Sequence, residues 1–211
     1  MKILFLESVD STQTYLKERV RSGEIEIPSA VVAQLQTQGI GSRGNAWRGL
    51  DGNLFFSFVL PLDSLPKDLK LESSSIYFSF LLKEVLAELS SDVWLKWPND
   101  FYLKEKKIGG AITHIVGQNI ICGIGLNLKK APEGFGVLDI SVEKKSLLEK
   151  YFNKLENNIS WKQVFSKYEL EFCKSKKFFT HNEDGVISLK EATLLSDGSI
   201  ISNGERIFSI R

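Results

Sequence analysis

Residues 96–110, Lys-Trp-Pro-Asn-Asp-Phe-Tyr-Leu-Lys-Glu-Lys-Lys-Ile-Gly-Gly, constrain the fold of this chain more than any other stretch. Val93 to Trp97 has strand composition. Pro98 ends the run, because proline offers no N–H to a ladder and pushes the residue before it toward extended geometry. Asn99 and Asp100 then fall at a turn, Phe101 to Leu103 resumes as a strand, Lys104 to Lys106 makes a charged turn, and Lys107 to Val116 returns as an apolar strand. Such a hairpin brings the Asn99 amide, the Asp100 carboxylate and the Lys107 ammonium within reach of one another. A solvated tip accounts for Lys104, Glu105 and Lys106. It does not account for a tryptophan followed at once by turn-forming polar groups, or for Gly109-Gly110, since glycines weaken a strand unless something approaches its backbone.

A second segment of this kind follows the strand Ala30 to Gln36 and reads Thr-Gln-Gly-Ile-Gly-Ser-Arg-Gly-Asn-Ala-Trp-Arg-Gly-Leu-Asp-Gly from Thr37 to Gly52. Gly39 to Gly44 formally fits the dinucleotide fingerprint, which requires a helix to begin there and an acidic residue about twenty positions on. Instead more glycines follow and then an apolar strand, Leu54 to Leu60, so the fingerprint is rejected. Dense glycine with Arg43 and Arg48 suits a backbone that wraps a phosphate, with guanidinium groups to neutralise it. Trp47 argues against disorder, because it needs a surface to cover.

Elsewhere, Lys2 to Leu6 reads as a strand, and Ser11-Thr12 caps a helix that ends near Gly23. A helix N-terminus with two hydroxyls also suits a small polar ligand. Ser73 to Leu89 carries an apolar stripe at Phe78, Leu82, Val85, Leu86 and Leu89, and Asn119 to Leu128 is a buried strand broken by Gly123 and Gly125. After a loop at 129–139 come two helices, the second opened by a capping box of Ser160 and Gln163. From about Lys176 short alternating strands with tight turns predict a small β-barrel, including a strand from Ile207 to Ile210, and a domain boundary near Lys177.

Charge excludes some partners. Lys and Arg total 27 against 26 acidic residues, so no net field draws nucleic acid or an anionic membrane, and any anion must be bound locally. Cys122 and Cys173 both lie in apolar patterns and are expected to be buried thiols, while His114 on an apolar strand is expected to be structural. The N-terminal apolar run is too short for a signal peptide and no later run approaches a membrane span, so the expectation is a cytoplasmic protein.

Gln36 to Trp47, Lys96 to Gly110 and Gly123 to Asn127 resemble, in this order, the biotin protein ligases, and Asp10-Ser11-Thr12 and the C-terminal β-segment fall where that family has them. The resemblance implies an α+β fold: a class II synthetase-like mixed or antiparallel sheet flanked by helices at 1–177, then a small SH3-like β-barrel at 178–211. It implies ATP and Mg2+ as cofactors and biotin as substrate. It implies too that biotinyl-5′-AMP forms first and that biotin then passes to a lysine of a biotin carboxyl carrier protein. By resemblance Lys107 bridges the biotin carboxylate and the α-phosphate, Asp100 orients or deprotonates the acceptor amine, and Arg43 closes the site. Ser11, Thr12, Gln13, Gln36, Gly39, Ile40, Gly41, Gly109, Gly110 and Gly125 would line the biotin slot. Ser42, Gly44, Trp47, Asn99 and Asn127 would hold the adenylate, with Asp100 and Asn127 as the magnesium ligands.

Many family members read Gly-Arg-Gly-Arg in the glycine loop, where this chain has Ile40 and Ser42; Arg43 is the substitute and Arg48 the alternative. Gln13 stands where asparagine is usual. Because the chain begins directly with the catalytic domain, a ligase without operator binding is expected. A homodimer through an exposed sheet edge is compatible with the sequence. A lipoate or octanoate ligase of the same fold and a non-catalytic biotin-binding protein are the rival readings.

Overall fold

The computed structural model describes residues 1–182 and 185–209, with the side chains of Arg43 and Asn182 outside the description. The chain opens with β1 (Lys2–Val9), α1 (Thr12–Ser22) and β2 (Ser29–Gln36). Ser11 Oγ accepts the Thr14 N–H at the start of α1, and Gly23, at φ 71°, closes its end in the left-handed conformation that glycine adopts without a Cβ penalty. A strand–helix–strand crossover makes neighbouring strands parallel, as β1 and β2 are.

After the loop come β5 (Leu54–Pro61), α2 (Ser74–Glu88), β6 (Trp94–Lys96), β7 (Asp100–Leu103), β8 (Lys106–Val116) and β9 (Asn119–Leu126). Within the loop the pieces β3 (Gly39–Ile40) and β4 (Ala46–Trp47) pair with each other. The main sheet has seven strands in the order β1-β2-β5-β9-β8-β7-β6, and every neighbouring pair beyond β1–β2 is antiparallel.

Alternation along the central strands sorts their side chains onto two unlike faces. Leu54, Phe56 and Phe58 of β5 and Ile120, Cys122, Ile124 and Leu126 of β9 point into the main core with α2, α3 (Lys144–Glu156) and α4 (Trp161–Ser175). Val31, Val59 and Ile121 point the other way and pack on Leu16 of α1 in a second, smaller cluster. Helix α1 is short, so it covers only part of that face. Where it stops, the outward positions become Ser57, Gly123 and Gly125.

Helix α2 is buried on more than the predicted stripe. Ile76, Tyr77, Phe80 and Leu81 are enclosed as well, because the sheet packs on one side of it and α3 and α4 on the other. The capping box at Ser160 is present. Cys122 is fully buried as expected, and burial pushes its thiol well above the usual cysteine range. Cys173 is exposed, contrary to expectation. It follows Phe172 by one residue, a step of about 100° round the helix, and so leaves the face that buries Trp161, Val164, Tyr168 and Phe172.

Beyond Lys177 the strands β10 (Phe179–Asn182) and β11 (Gly185–Ser188) form one pair, and β12 (Thr193–Leu194), β13 (Ile200–Ser202) and β14 (Glu205–Ile207) form a three-stranded sheet. The last strand is Glu205–Ile207 rather than the expected 207–210: Phe208 and Ser209 are not in a strand, and Ile210 lies outside the described residues. Leu189, Ala192 and Ile200 join the main core. The indole N–H of Trp97 donates to Gly198 O at 2.8 Å, and that of Trp161 to Ser196 O at 2.8 Å.

Trp97→Phe keeps most of the buried volume but strands the Gly198 carbonyl, and should lower unfolding stability by about 1–3 kcal/mol in urea titrations. Partial burial disfavours an ionised Asp197. Hydrogen bonds from Ser199 and Lys70 and the charge of Arg206 outweigh this and hold its carboxyl down at about 2. Its contribution should therefore be complete above the unfolded value of about 3.9 and vanish as pH falls through about 2. Acid unfolding followed by circular dichroism should show Asp197→Asn losing less stability than wild type across that interval.

Candidate active site

The uncovered part of the sheet is the floor of a cleft whose lining encloses about 470 Å³ of space, open solvent at its mouth included. Its floor is Ser57, Ile112, Gly123 and Gly125; its near wall is the start of α1, Ser11 to Gln13, with Gln36 at the end of β2; its roof is Ile40, Gly41, Ser42 and Trp47; and its far end is Asp100, Lys107 and Gly110. The glycine loop reaches this place because β3 and β4 fold it back on itself and Thr37 and Gln38 donate backbone bonds to Val9 and Asp10. Only a short 3₁₀ turn lies at Ser42–Gly44 and no helix starts there, which removes the geometry a dinucleotide fingerprint needs.

The near end is uncharged and polar. Thr12 donates to Gln36 Oε1 from its backbone N–H at 2.8 Å and from its hydroxyl at 3.0 Å, and Thr12 Oγ1 and Ser57 Oγ lie 2.8 Å apart. These groups are almost fully buried, so they present fixed donors and acceptors rather than flexible surface polarity. The far end is ionic. Asp100 lies 2.6 Å from Lys107 Nζ and 3.5 Å from Lys96 Nζ. The predicted hairpin thus forms, with Asp100 opposite Gly110 in the β7–β8 ladder. Lys96 also sits over the Tyr102 ring, whose hydroxyl is pushed far up by burial and by the Asp100 charge, so it remains a phenol at neutral pH.

Two glycines let side chains from elsewhere touch the floor. A Cβ on Gly125 would lie 2.6 Å from Trp47 Cε2, and one on Gly123 would collide with Gln13 Oε1. Other expected site residues stand apart from this cleft. Gly109 is needed for strand packing, because its Cβ would lie 2.7 Å from Gly125 O. Gly39 fits under the Trp47 backbone, and Gly44, at φ 72°, follows the loop's tight turn. Asn99 is buried and donates to Ala111 O at 2.6 Å, which ties the turn to β8. Arg43 lies on the loop, with its side chain outside the description.

Asn127 lines a second cleft, with Arg48, Pro132, Glu133, Phe135 and Trp47, which also lines the first. Its Oδ1 accepts from Asn53 at 3.2 Å and its amide donates to Gly136 O at 3.1 Å. Among the described residues no group of three or more His, Cys, Asp or Glu could hold a metal. Among the described residues Asp100 is the one acidic residue lining the first cleft, a donor set that suits a magnesium ion arriving on substrate phosphates rather than a dedicated protein cage.

Sequence reading passed over Ser57, Lys96 and Asn53. Ser57 is the lone polar residue in Leu-Phe-Phe-Ser-Phe-Val and Lys96 the lone charge in its strand, and those breaks in pattern were the available signals. Asn53 carries no such signal. Its Oδ1 gathers the N–H groups of Leu128, Lys129 and Lys130, and so shapes the turn after β9.

The profile of the Biotin/lipoate A/B protein ligase family matches residues 5–127, more than half of the chain. The chain belongs to that family. Similarity within this ligase family extends to solved structures. The biotin acetyl coenzyme A carboxylase synthetase of Helicobacter pylori, with bound biotinylated ATP, is 43% identical with a TM-score of 0.94, covering 98% of this chain and 99% of that one. The biotin protein ligase of Aquifex aeolicus, in complex with biotin and ATP, is 25% identical with a TM-score of 0.79, covering 98% and 94%. The bifunctional ligase/repressor BirA of Escherichia coli is 33% identical over 133 residues, and the match covers 60% of this chain and 40% of that protein's length. The mixed sheet flanked by helices, with small C-terminal strands, matches the fold of these ligases.

Because the Trp47 ring rests directly on Gly125, Gly125→Ala should lift the ring and disturb ligand geometry. Turnover should drop by about a hundredfold, with a red-shifted tryptophan emission reporting the displaced indole.

Proposed function

We propose that this chain is a biotin protein ligase, forming biotinyl-5′-AMP from biotin and ATP and transferring biotin to a lysine of a biotin carboxyl carrier domain. The observation that carries this reading is a single cleft with an uncharged polar end at Thr12, Gln36 and Ser57 and an ionic end at Asp100 and Lys107. A ureido head has both donors and acceptors to offer the first, and a carboxylate belongs beside the second. The bound biotinylated ATP of the Helicobacter structure supports this choice of ligands.

In the first step a biotin carboxylate oxygen attacks the α-phosphorus and pyrophosphate leaves. Two anions must approach, so the Lys107 ammonium has to stand between them where negative charge builds in the transition state. Asp100 keeps Lys107 aimed into the cleft, and Lys96 balances the carboxylate from the other side. Asp100 is the protein carboxylate that would hold a magnesium ion arriving on the nucleotide, with Asn127 offering only the lone pair of Oδ1 that Asn53 leaves over, and such an ion would supply further neutralisation of phosphate charge. In the second step the carrier lysine's amine attacks the acyl carbon of the mixed anhydride, AMP leaves, and Asp100 orients the amine or takes its proton.

Trp47, Arg48 and Asn127 make the second cleft the place for the adenine end, with Arg43 on the covering loop as the phosphate-facing cation. The loop excludes water, since an exposed mixed anhydride would hydrolyse. All these roles fall within 1–177, with 178–211 a docked unit. A lipoate or octanoate ligase would have no use for the fixed polar groups at Thr12 and Gln36.

Biotin-dependent exchange of pyrophosphate into ATP tests the proposal. Lys107→Ala should reduce exchange by about 10²–10³-fold. Exchange driven only by lipoate or octanoate would move the chain to the sister branch of the family, and none with any of these acids would leave a binding protein.

A further inference from the structure

The cleft wall holds a buried hydrogen-bond acceptor that the described protein groups leave unpaired. Gln13 is 3% exposed, and its Oε1 lies against Gly123 with no hydrogen-bond donor among the described residues. The other end of the same amide is fully engaged: Nε2 lies 3.1 Å from His114 Nδ1 and 3.4 Å from Ile121 O. A carbonyl can only accept, so Ile121 fixes the NH2 group on this side and Oε1 on the cleft side. His114 must then present a lone pair at Nδ1, as a neutral ring with its proton on Nε2. An unsatisfied buried acceptor is uncommon and calls for an explanation such as a ligand.

We propose that His114 is a positioning residue that holds the Gln13 amide with Oε1 turned into the cleft, where it accepts an N–H of the biotin ureido ring, and that protonating His114 weakens biotin binding. The inference rests on the biotin reading above. A protonated His114 would set an Nδ1–H against the Gln13 NH2 group. Rotating the amide to avoid that contact would set Oε1 against the Ile121 carbonyl and a donor against the ligand's own donors, so every arrangement loses a hydrogen bond. His114 reaches no reacting atom and acts only through Gln13.

The surroundings favour the neutral ring. On β9 its opposite number is Ile121, and α1 presents Gln13 and the Lys17 ammonium. Burial, and secondarily the Lys17 charge, push the His114 imidazolium below the ordinary histidine value, so the binding form predominates at neutral pH. Since biotin prefers the neutral form, affinity is full above the free-state value and declines as pH falls through it. By linkage, biotin lowers that value further.

Calorimetric titration of the whole chain with biotin from pH 8 to pH 5, beside His114→Gln and Gln13→Leu, tests this. Wild type should lose about fivefold more affinity across the range than His114→Gln, whose amide can accept from Gln13 at every pH, and Gln13→Leu should bind about tenfold more weakly at pH 8. The chain has only two histidines, so proton NMR can follow the His114 ring by itself; biotin should lower its midpoint. Equal pH profiles for wild type and His114→Gln, an unmoved His114 midpoint, or a Gln13→Leu variant that binds as wild type would overturn the relay and leave the ligase reading intact. Failure of wild type to bind biotin at pH 8 would overturn both.

Discussion

The site exists because one sheet is covered unequally on its two faces. The face under α2, α3 and α4 carries Phe56, Phe58, Ile120, Cys122 and Ile124 and is closed by close packing. The opposite face has a single helix, α1, which covers Val31, Val59 and Ile121 and then ends. A sheet left bare with large apolar side chains would be an aggregation surface. Here several outward positions are small, Ser57, Gly123 and Gly125, and a folded-back loop lays Trp47 over Gly125. The space removed from those side chains is the space available to a ligand.

The two ends of that space are built by different physics. At the α1 end, buried neutral groups satisfy one another at fixed spacing, so specificity comes from which donors and acceptors a ligand can match. At the β7–β8 end, a carboxylate held between two ammonium groups creates a charged corner with limited access to water. The two ends therefore differ in kind, one offering neutral donors and acceptors and the other fixed charge, and Trp47 lines both this cleft and the second.

Much of the frame was legible in the chain itself. Pro98 and the charged turn announced the hairpin, Ser11 and Gly23 the bounds of α1, and Ser160 with Gln163 the start of α4, because each signal is local: a missing donor, a capping side chain, a left-handed glycine. Glycine within β9 was correctly a sign of close approach, but the sequence could not say by what. Gly125 meets an indole that is 78 residues away in the chain, and Gly123 meets the amide of Gln13 from the first helix. The misplaced Cys173 shows the opposite limit: an apolar neighbourhood in sequence still leaves one side of a helix facing water.

The sequence by itself determined the order of strands and helices, the charged pair Asp100 and Lys107, and the glycine loop that must cover something, since these depend on local backbone chemistry and short separations. Only the tertiary structure decided that Asn99 and Gly109 serve packing while Ser57 and Gly123 form the floor of the cleft, and that Lys96 completes the Asp100 corner. The physical reason is that a side chain's role there depends on which face of the strand it leaves and on which distant element covers that face. Both are settled by sheet pairing and helix placement between residues far apart in the chain.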